Sequence, residues 1–326
     1  MTVDPMKFAR KILKKVSRSF ALTIPMLDDE IKDEVLLTYL QDRILDNFED
    51  EIHPPNLQLQ RNMMDRVSRI FSTSDYDRSQ DFKIIKENSR LIEKKSLQEL
   101  TENIDLIYQS YQSLDLKVQE ISHKWLQEMN QGMQKYLNKE VKTFSELDEY
   151  CYYVAGTVGG FLTETIIYKF EIIEKNKQVL LNNFNEAGLF LQKVNLIRDI
   201  RDDLENRDKH FWPLKDLEVS EEDLSDPQKK DKAMTALKEM LIDLKKHIPA
   251  LKKYYFALPD ELKGYKKFFA VNNALGLATL DKLEANPDVF YGNKPVKTSK
   301  LTFLNIMRAP EKYFLSHSSQ SENNEL

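Results

Sequence analysis

Apolar residues recur at helical spacing along most of the chain, and no region shows the strict alternation of a strand-rich protein. Asp4-Pro5 is an N-cap and first-turn pair, which predicts a basic amphipathic helix to about residue 15. Pro25 breaks that pattern. Ile31, Val35, Leu36, Leu40 and Ile44 then predict a helix over about 28–51, stopped by Pro54-Pro55. Further helices are predicted near 57–72, 82–94, 96–112 and 114–138, with the polar stretch 73–80 as a loop. Ser145-x-x-Asp148 resembles a capping box before an apolar run through Phe170. A helix over about 177–206 follows, and charged residues 205–210 lead into Phe211-Trp212-Pro213. Two or three helices fill 227–285, and a last one begins near Ser299. The polar stretch 316–326 reads as a disordered tail. The expectation is one all-α domain over 1–315.

Composition agrees with long helices. Glycine is scarce, 8 in 326 residues, where average usage gives roughly 23. Three of the eight fall together in Gly156-Thr157-Val158-Gly159-Gly160. Inside a helix each costs roughly 1 kcal/mol against alanine, so either close helix packing or room for a ligand has to offset them. The net charge of −5 argues against a nucleic-acid partner, which would require a basic excess. The lone Cys151 excludes an internal disulfide framework and fits a reducing, cytoplasmic setting. No apolar run approaches the ~18 residues of a membrane span, so no transmembrane anchor is expected and any membrane contact is peripheral.

Two segments about 150 residues apart carry the candidate chemistry. The first is Tyr39-x-x-x-Arg43-x-x-Asp46-x-x-Glu49-Asp50, the second Gln192-x-x-Asn195-x-x-Arg198-Asp199-x-x-x-Asp203. Acids are common in this chain, so random placement alone gives roughly eight acidic i,i+4 pairs, most of them solvated. The surroundings say more than the pairs. At 100° per residue Tyr39, Arg43, Asp46 and Asp50 form one stripe, and Gln192, Asn195, Asp199 and Asp203 form another. Both are hydrogen-bonding stripes on helices that also carry apolar faces. Oxygen ligands without histidine or cysteine fit Mg²⁺ better than zinc. Arg43 and Arg198 would add fixed charge for a diphosphate. Two readings stand on spacing alone: faces that hold metal and diphosphate for its departure from an allylic carbon, or salt-bridged structural faces.

The motifs in order resemble those of the squalene/phytoene synthase family. Ser17-Arg18-Ser19-Phe20 and the Tyr39–Asp50 set look like its opening. Tyr150-Cys151-Tyr152-Tyr153-Val154-Ala155-Gly156 and Leu189 to Asp199 are similar to its middle, and Phe211-Trp212-Pro213 to its squalene-forming branch. The resemblance runs from about 10 to 305. It implies an all-α isoprenoid synthase fold, a helical bundle around a central cavity. It implies head-to-head joining of two farnesyl diphosphates to presqualene diphosphate, then NADPH-dependent reduction to squalene for sterol or hopanoid routes. The alternatives are arrest at presqualene diphosphate or dehydrosqualene, or phytoene synthesis. The resemblance assigns Asp46, Glu49, Asp50, Asp199 and Asp203 to Mg²⁺. It assigns Arg18, Arg43 and Arg198 to diphosphate and NADPH phosphates, and Tyr39, Tyr150, Gln192 and Asn195 to the reaction centre. The glycines at 156–160 would make room for a prenyl chain. Lys297 and Lys300 fall in a segment similar to one that holds NADPH, with Ser299 where a basic residue is usual. Gln41-Asp42 stand where the family usually has apolar residues.

Several residues have plainer readings. Cys151 reads as a packed thiol and Trp212 as a packing anchor. The basic N-terminal helix reads as ordinary surface, with a membrane-contact face as the alternative. Lys297 is either a cofactor ligand or surface. Glu120-x-x-His123 matches half of a di-iron motif whose second half is missing.

Overall fold

The Asp4 side chain accepts a hydrogen bond from the Lys7 amide at 3.1 Å, so the first helix, Pro5–Val16, starts where the Asp-Pro pair predicts. A computed structural model of the chain is all-α over its described residues, 4–52, 54–206 and 210–320. The β pairing among them is a single bridge between Ile52 and Ile92. The chain forms two compact units. One comprises the residues up to Asn138 together with Phe161–Glu171, the other Lys139–Gly160 together with the residues from Ile172.

In the first unit the helix Asp29–Asp50 is central. It buries Leu37, Leu40, Ile44, Leu45 and Phe48 completely, and packs on Leu57–Ile70, Ile104–Tyr111 and Leu116–Tyr136. Gln41, out of place by the family pattern, has a partner here. Ser122 Oγ donates to Gln41 Oε1 at 3.0 Å and lies 3.1 Å from Thr38 Oγ1, a buried polar chain that holds two helices in register.

In the second unit the helix Glu186–Asn206 packs on Lys263–Leu283, Asp288–Tyr291, Lys230–Lys245 and the turn Tyr152–Gly156. That turn is π-helical and joins Phe144–Cys151 to Thr157–Lys169. The glycines serve close packing. A Cβ at Gly159 would lie 2.0 Å from the Phe184 carbonyl oxygen, and one at Gly188 would lie 2.3 Å from that of Ala155.

Four boundaries differ from the sequence reading, each for a local reason. The cap of Phe144–Cys151 is Thr143, whose Oγ1 accepts from the Glu146 amide at 3.2 Å, while Glu146 reaches back to the Lys142 amide at 2.8 Å. Ser145 and Asp148 do not form the box. The predicted helix 96–112 is two, Lys95–Glu102 and Ile104–Tyr111; at the break the Asn103 amide group bonds the Glu99 carbonyl at 2.8 Å. The predicted helix 177–206 is also two, Glu174–Asn183 and Glu186–Asn206. The last predicted helix splits at Ala309, which is held out of the helical conformation ahead of Pro310, into Lys300–Arg308 and Pro310–Gln320. The predicted tail is thus helical through Gln320. Residues 321–326 of it, and 207–209 of the charged loop, lie outside the described residues.

Candidate active site

The first acidic face closes the helix Asp29–Asp50. Arg43 Nη1 donates to Asp46 one turn on. Burial works against the Arg43 charge, but Asp46, with Tyr39, Asp50 and Glu51, holds its pKa above the ordinary value. Tyr39 is anchored from the preceding segment. The Phe20 ring lies tilted against it at 5.0 Å, and the Ser17 hydroxyl both bonds Tyr39 and accepts from the Phe20 amide at 3.1 Å. The Ser-Arg-Ser-Phe motif therefore builds the Tyr39 end of this face, with Arg18 exposed beside it. Burial raises the Tyr39 pKa, against the pull of Ser17 and Arg43, so its hydroxyl stays protonated. Glu49 is buried and Asp50 exposed. Asp42 joins the same face. Burial and the charge of Asp46 push its carboxyl up to about 8.

The second face lies on Glu186–Asn206. Arg198 donates through Nε to Asp199 Oδ1 at 2.8 Å and through Nη2 to Oδ2. Gln192 and Asp199 are half-buried, Asn195 is exposed and Asp203 is buried. Arg198, Asp199, Arg201, Asp202 and Glu205 line one side of a small cavity of about 150 Å³, whose other side is Asp288 and the loop Gly292 to Pro295. Arg201 ties the two sides, donating to the Gly292 carbonyl and, at 2.7 Å, to Glu205. Sequence reasoning passed over Arg201; its place between Asp199 and Asp203 was the available signal.

Both helices end in carboxylates. Asp46, Glu49 and Asp50 close one, and Asp202, Asp203 and Glu205 close the other, with no basic residue in the last turn of either. A helix C-terminus already carries partial negative charge, so each turn is electrostatically unfavourable on its own. Upstream, burial first and the charge of Asp46 second raise the Asp42 carboxyl. An oxygen-only donor set under such repulsion fits a divalent cation, and Mg²⁺ in particular.

Tyr150 stacks on Phe211, ring centroids 3.7 Å apart and planes 9° from parallel. Trp212 is fully buried and donates to the Leu196 carbonyl at 3.1 Å. The Phe-Trp-Pro segment thus packs on both Tyr150 and the helix of the second face. Lys297 and Lys300 are exposed. Ser299, where a basic residue is usual, caps the helix Lys300–Arg308, its Oγ accepting from the Thr302 amide at 3.0 Å.

Two further polar groupings stand apart from these faces. In the second unit, carboxylate and imidazole atoms of Asp148, Asp243 and His247 lie within 4.8 Å of one another. The ammonium of Lys193, only 1% exposed, contacts both carboxylates, with Asp243 at 2.5 Å, and supplies the cation there. Cys151 is buried nearby, and burial pushes its thiol far up, so it is an inert packed thiol. In the first unit a cavity of about 570 Å³ is lined only by polar side chains, Asp65, Arg69, His123 and Asn130 among them. It is unsuited to a prenyl chain. His123 therefore faces a polar groove, and its bond to the Ser68 backbone opposes the burial that lowers its pKa.

The chain carries two arginine-paired carboxylate faces on separate helices of an all-α fold. The profile of the squalene/phytoene synthase family matches residues 13–302, and the chain belongs to this family. It is 31% identical over 302 residues to squalene synthase LSS of Botryococcus braunii, covering 89% of this chain and 60% of that protein. It is 30% identical over 294 residues to squalene synthase 1 of Arabidopsis thaliana, covering 87% of this chain and 67% of that one. The chain thus spans about two thirds or less of the length of these relatives. A solved structure of TcSQS with the ligand BPH1237 superposes with a TM-score of 0.85 at 27% identity, covering 98% of this chain and 90% of that one. No helix among the described residues is long and apolar enough to cross a membrane.

Proposed function

We propose that this chain joins two farnesyl diphosphates head to head into presqualene diphosphate and reduces that product with NADPH to squalene. The observation that carries the reading is the pair of carboxylate-ended helix faces, each with an arginine bonded to an aspartate (Arg43 to Asp46, Arg198 to Asp199). Family membership and the squalene synthases among its relatives support the substrate.

Asp46, Glu49, Asp50, Asp199 and Asp203 would hold Mg²⁺, which offsets diphosphate charge and eases its departure from the allylic carbon. Arg43 and Arg198 now neutralise aspartates. With those carboxylates holding Mg²⁺, both guanidinium groups would be free to bind diphosphate oxygens, and Arg18 would add a third. The allylic C–O bond breaks with its electron pair going to diphosphate. The second substrate's double bond attacks the resulting cation, and one proton is lost as the cyclopropane closes. Tyr39, kept protonated by burial, donates a hydrogen bond to a departing oxygen. Tyr150, held by Phe211, presents its hydroxyl to the proton released and its ring edge to the packing around it. Gln192 and Asn195 orient the bound oxygens. Lys297 and Lys300, with the arginines, would hold the NADPH phosphates, and NADPH would supply the hydride for the cation left when the second diphosphate departs with its electron pair. A cytoplasmic setting belongs to the same proposal, in keeping with the lone thiol.

A second reading, arrest at presqualene diphosphate or dehydrosqualene, is favoured by Ser299, which serves as a helix cap where a cation is usual. One assay separates them. The protein is incubated with farnesyl diphosphate and Mg²⁺, with and without NADPH, and the lipids are identified by mass spectrometry. Squalene formed only with NADPH is the expected result. Presqualene diphosphate or dehydrosqualene persisting with NADPH would move the conclusion to the second reading, and absence of turnover would remove both.

A further inference from the structure

Arg201 lies between Asp199 and Asp203 in sequence, yet at 100° per residue it falls off their stripe. What it holds is a loop. Its Nη1 donates to the Gly292 carbonyl, and its Nε donates to Glu205 Oε1 at 2.7 Å. Glu205 stands one turn on along the same helix, so that pair orients the guanidinium and leaves its other arm for the loop. Gly292 is itself a tight point. Its amide donates to the Asp288 carbonyl at 3.0 Å, and a Cβ there would lie 2.7 Å from that carbonyl oxygen. Both backbone groups of Gly292 are thus engaged, one closing the helix Asp288–Tyr291 and the other taking Arg201.

The loop that follows has little else to hold it. Before it, Val289 and Phe290 are buried, and Phe290 meets Trp212 edge-on with ring centroids 5.7 Å apart. After it, Val296 is buried. Asn293, Lys294 and Pro295 between them are exposed. Among the described residues, the hydrogen bond that a side chain makes to the loop Gly292 to Pro295 is that of Arg201. The loop and the second acidic helix enclose the cavity of about 150 Å³, to which Arg198 and Asp199 contribute from the helix and Lys294 from the loop. Lys297 follows closely. Lys294, Lys297 and Lys300 are exposed and form no ion pair among the described residues, a donor set free to take phosphate oxygens.

We propose that Arg201 is a positioning residue for the reductive step. It pins the Gly292 carbonyl to the second acidic helix and so fixes where the segment from Lys294 to Lys300 stands relative to Arg198. The proposal rests on the NADPH reading of that segment. In this role Arg201 touches neither substrate nor cofactor and acts through the loop. The role needs a fork. Arginine bonds Glu205 and Gly292 through separate nitrogens, whereas lysine has a single ammonium on a flexible stem. The tether matters more because Ser299 stands where a cation is usual, which leaves the binding to fewer cations. Without Arg201 the cofactor itself would have to order the loop, and that ordering would be subtracted from its affinity.

The test reads NADPH binding and loop order separately. Isothermal titration of the full chain with NADPH in Mg²⁺ buffer should give a dissociation constant about fivefold or more higher in Arg201→Met, the effect of roughly one hydrogen bond. Arg201→Lys should fall between that variant and the parent. Lys297→Ala should also weaken binding. Adding Arg201→Met to it should cost less than Arg201→Met costs alone, because Arg201 acts through the segment that carries Lys297. Lys282→Ala, at an exposed position on the helix Lys263–Leu283, should keep the parental value. Loop order is read from a nitroxide on Asn293→Cys, since the native thiol of Cys151 is buried. Its paramagnetic resonance lines should narrow when Arg201→Met is added. Narrowed lines with parental NADPH affinity would make Arg201 a structural tie and overturn the proposal. So would unchanged lines or full additivity with Lys297→Ala. Diphosphate release from farnesyl diphosphate that falls as far as NADPH affinity would place Arg201 in the acidic face itself, and this too would overturn the proposal. A parent chain that binds no NADPH would remove the NADPH reading and this proposal together, whereas parental affinity in Arg201→Met would remove this proposal alone.

Discussion

Asp42 shows most directly how the first acidic face is built. Burial, with the charge of Asp46 beside it, raises its pKa to about 8, above the ordinary carboxylate range, so folding favours its protonated form. Stability from this group is full below about pH 4 and is lost progressively as pH rises toward 8. Asp42→Asn removes the charge and keeps the shape. In metal-free buffer its thermal midpoint should equal that of the parent near pH 4 and exceed it at pH 8, by about 1–2 °C for each kcal/mol recovered. An equal shift at both pH values would contradict the assignment. The sequence marked Asp42 only as a departure from the family pattern. Its effect depends on enclosure by neighbouring side chains, which spacing alone does not encode. Lys193 is a parallel case. Its two carboxylate partners come from helices about 50 residues away on either side, Asp148 and Asp243, so the cluster is invisible to local periodicity.

At the scale of elements, the two acidic stripes were legible because a 3.6-residue period fixes which side chains share a face. The arginine–aspartate pairs are also local, at i,i+3 and i,i+1, and the structure forms both. Helix interruptions were less legible. Asn103, residues 184–185 and Ala309 interrupt patterns whose apolar spacing continues through them. The glycines are the sharpest case. Sequence left close packing and ligand room both open, and the family resemblance favoured room for a prenyl chain. At Gly156, Gly159 and Gly188 neighbouring atoms fill the space instead. An alanine in an ordinary helix position is favoured over glycine by about 1 kcal/mol. Gly159→Ala should do the reverse and lower stability by about 2 kcal/mol or more, because its Cβ would meet the Phe184 carbonyl oxygen at 2.0 Å. Urea unfolding checks the sign, and an unchanged or higher midpoint would show that the contact relaxes at little cost.

For the molecule as a whole, the scarcity of glycine and the helical periodicity pointed to an all-α protein, and family membership follows from a match over residues 13–302. The residues that would act on substrate come from both compact units, Arg43 and Asp46 from one and Arg198 and Asp199 from the other. The central claim is that both faces are needed for diphosphate to leave. Diphosphate release from farnesyl diphosphate under Mg²⁺ measures this directly, in the parent chain, in Asp46→Asn, in Asp199→Asn and in Asp65→Asn at the polar cavity of the first unit. Release should fall by about 10²-fold or more in each of the first two variants and stay at the parental rate in Asp65→Asn. Parental release in either Asp46→Asn or Asp199→Asn would contradict the account.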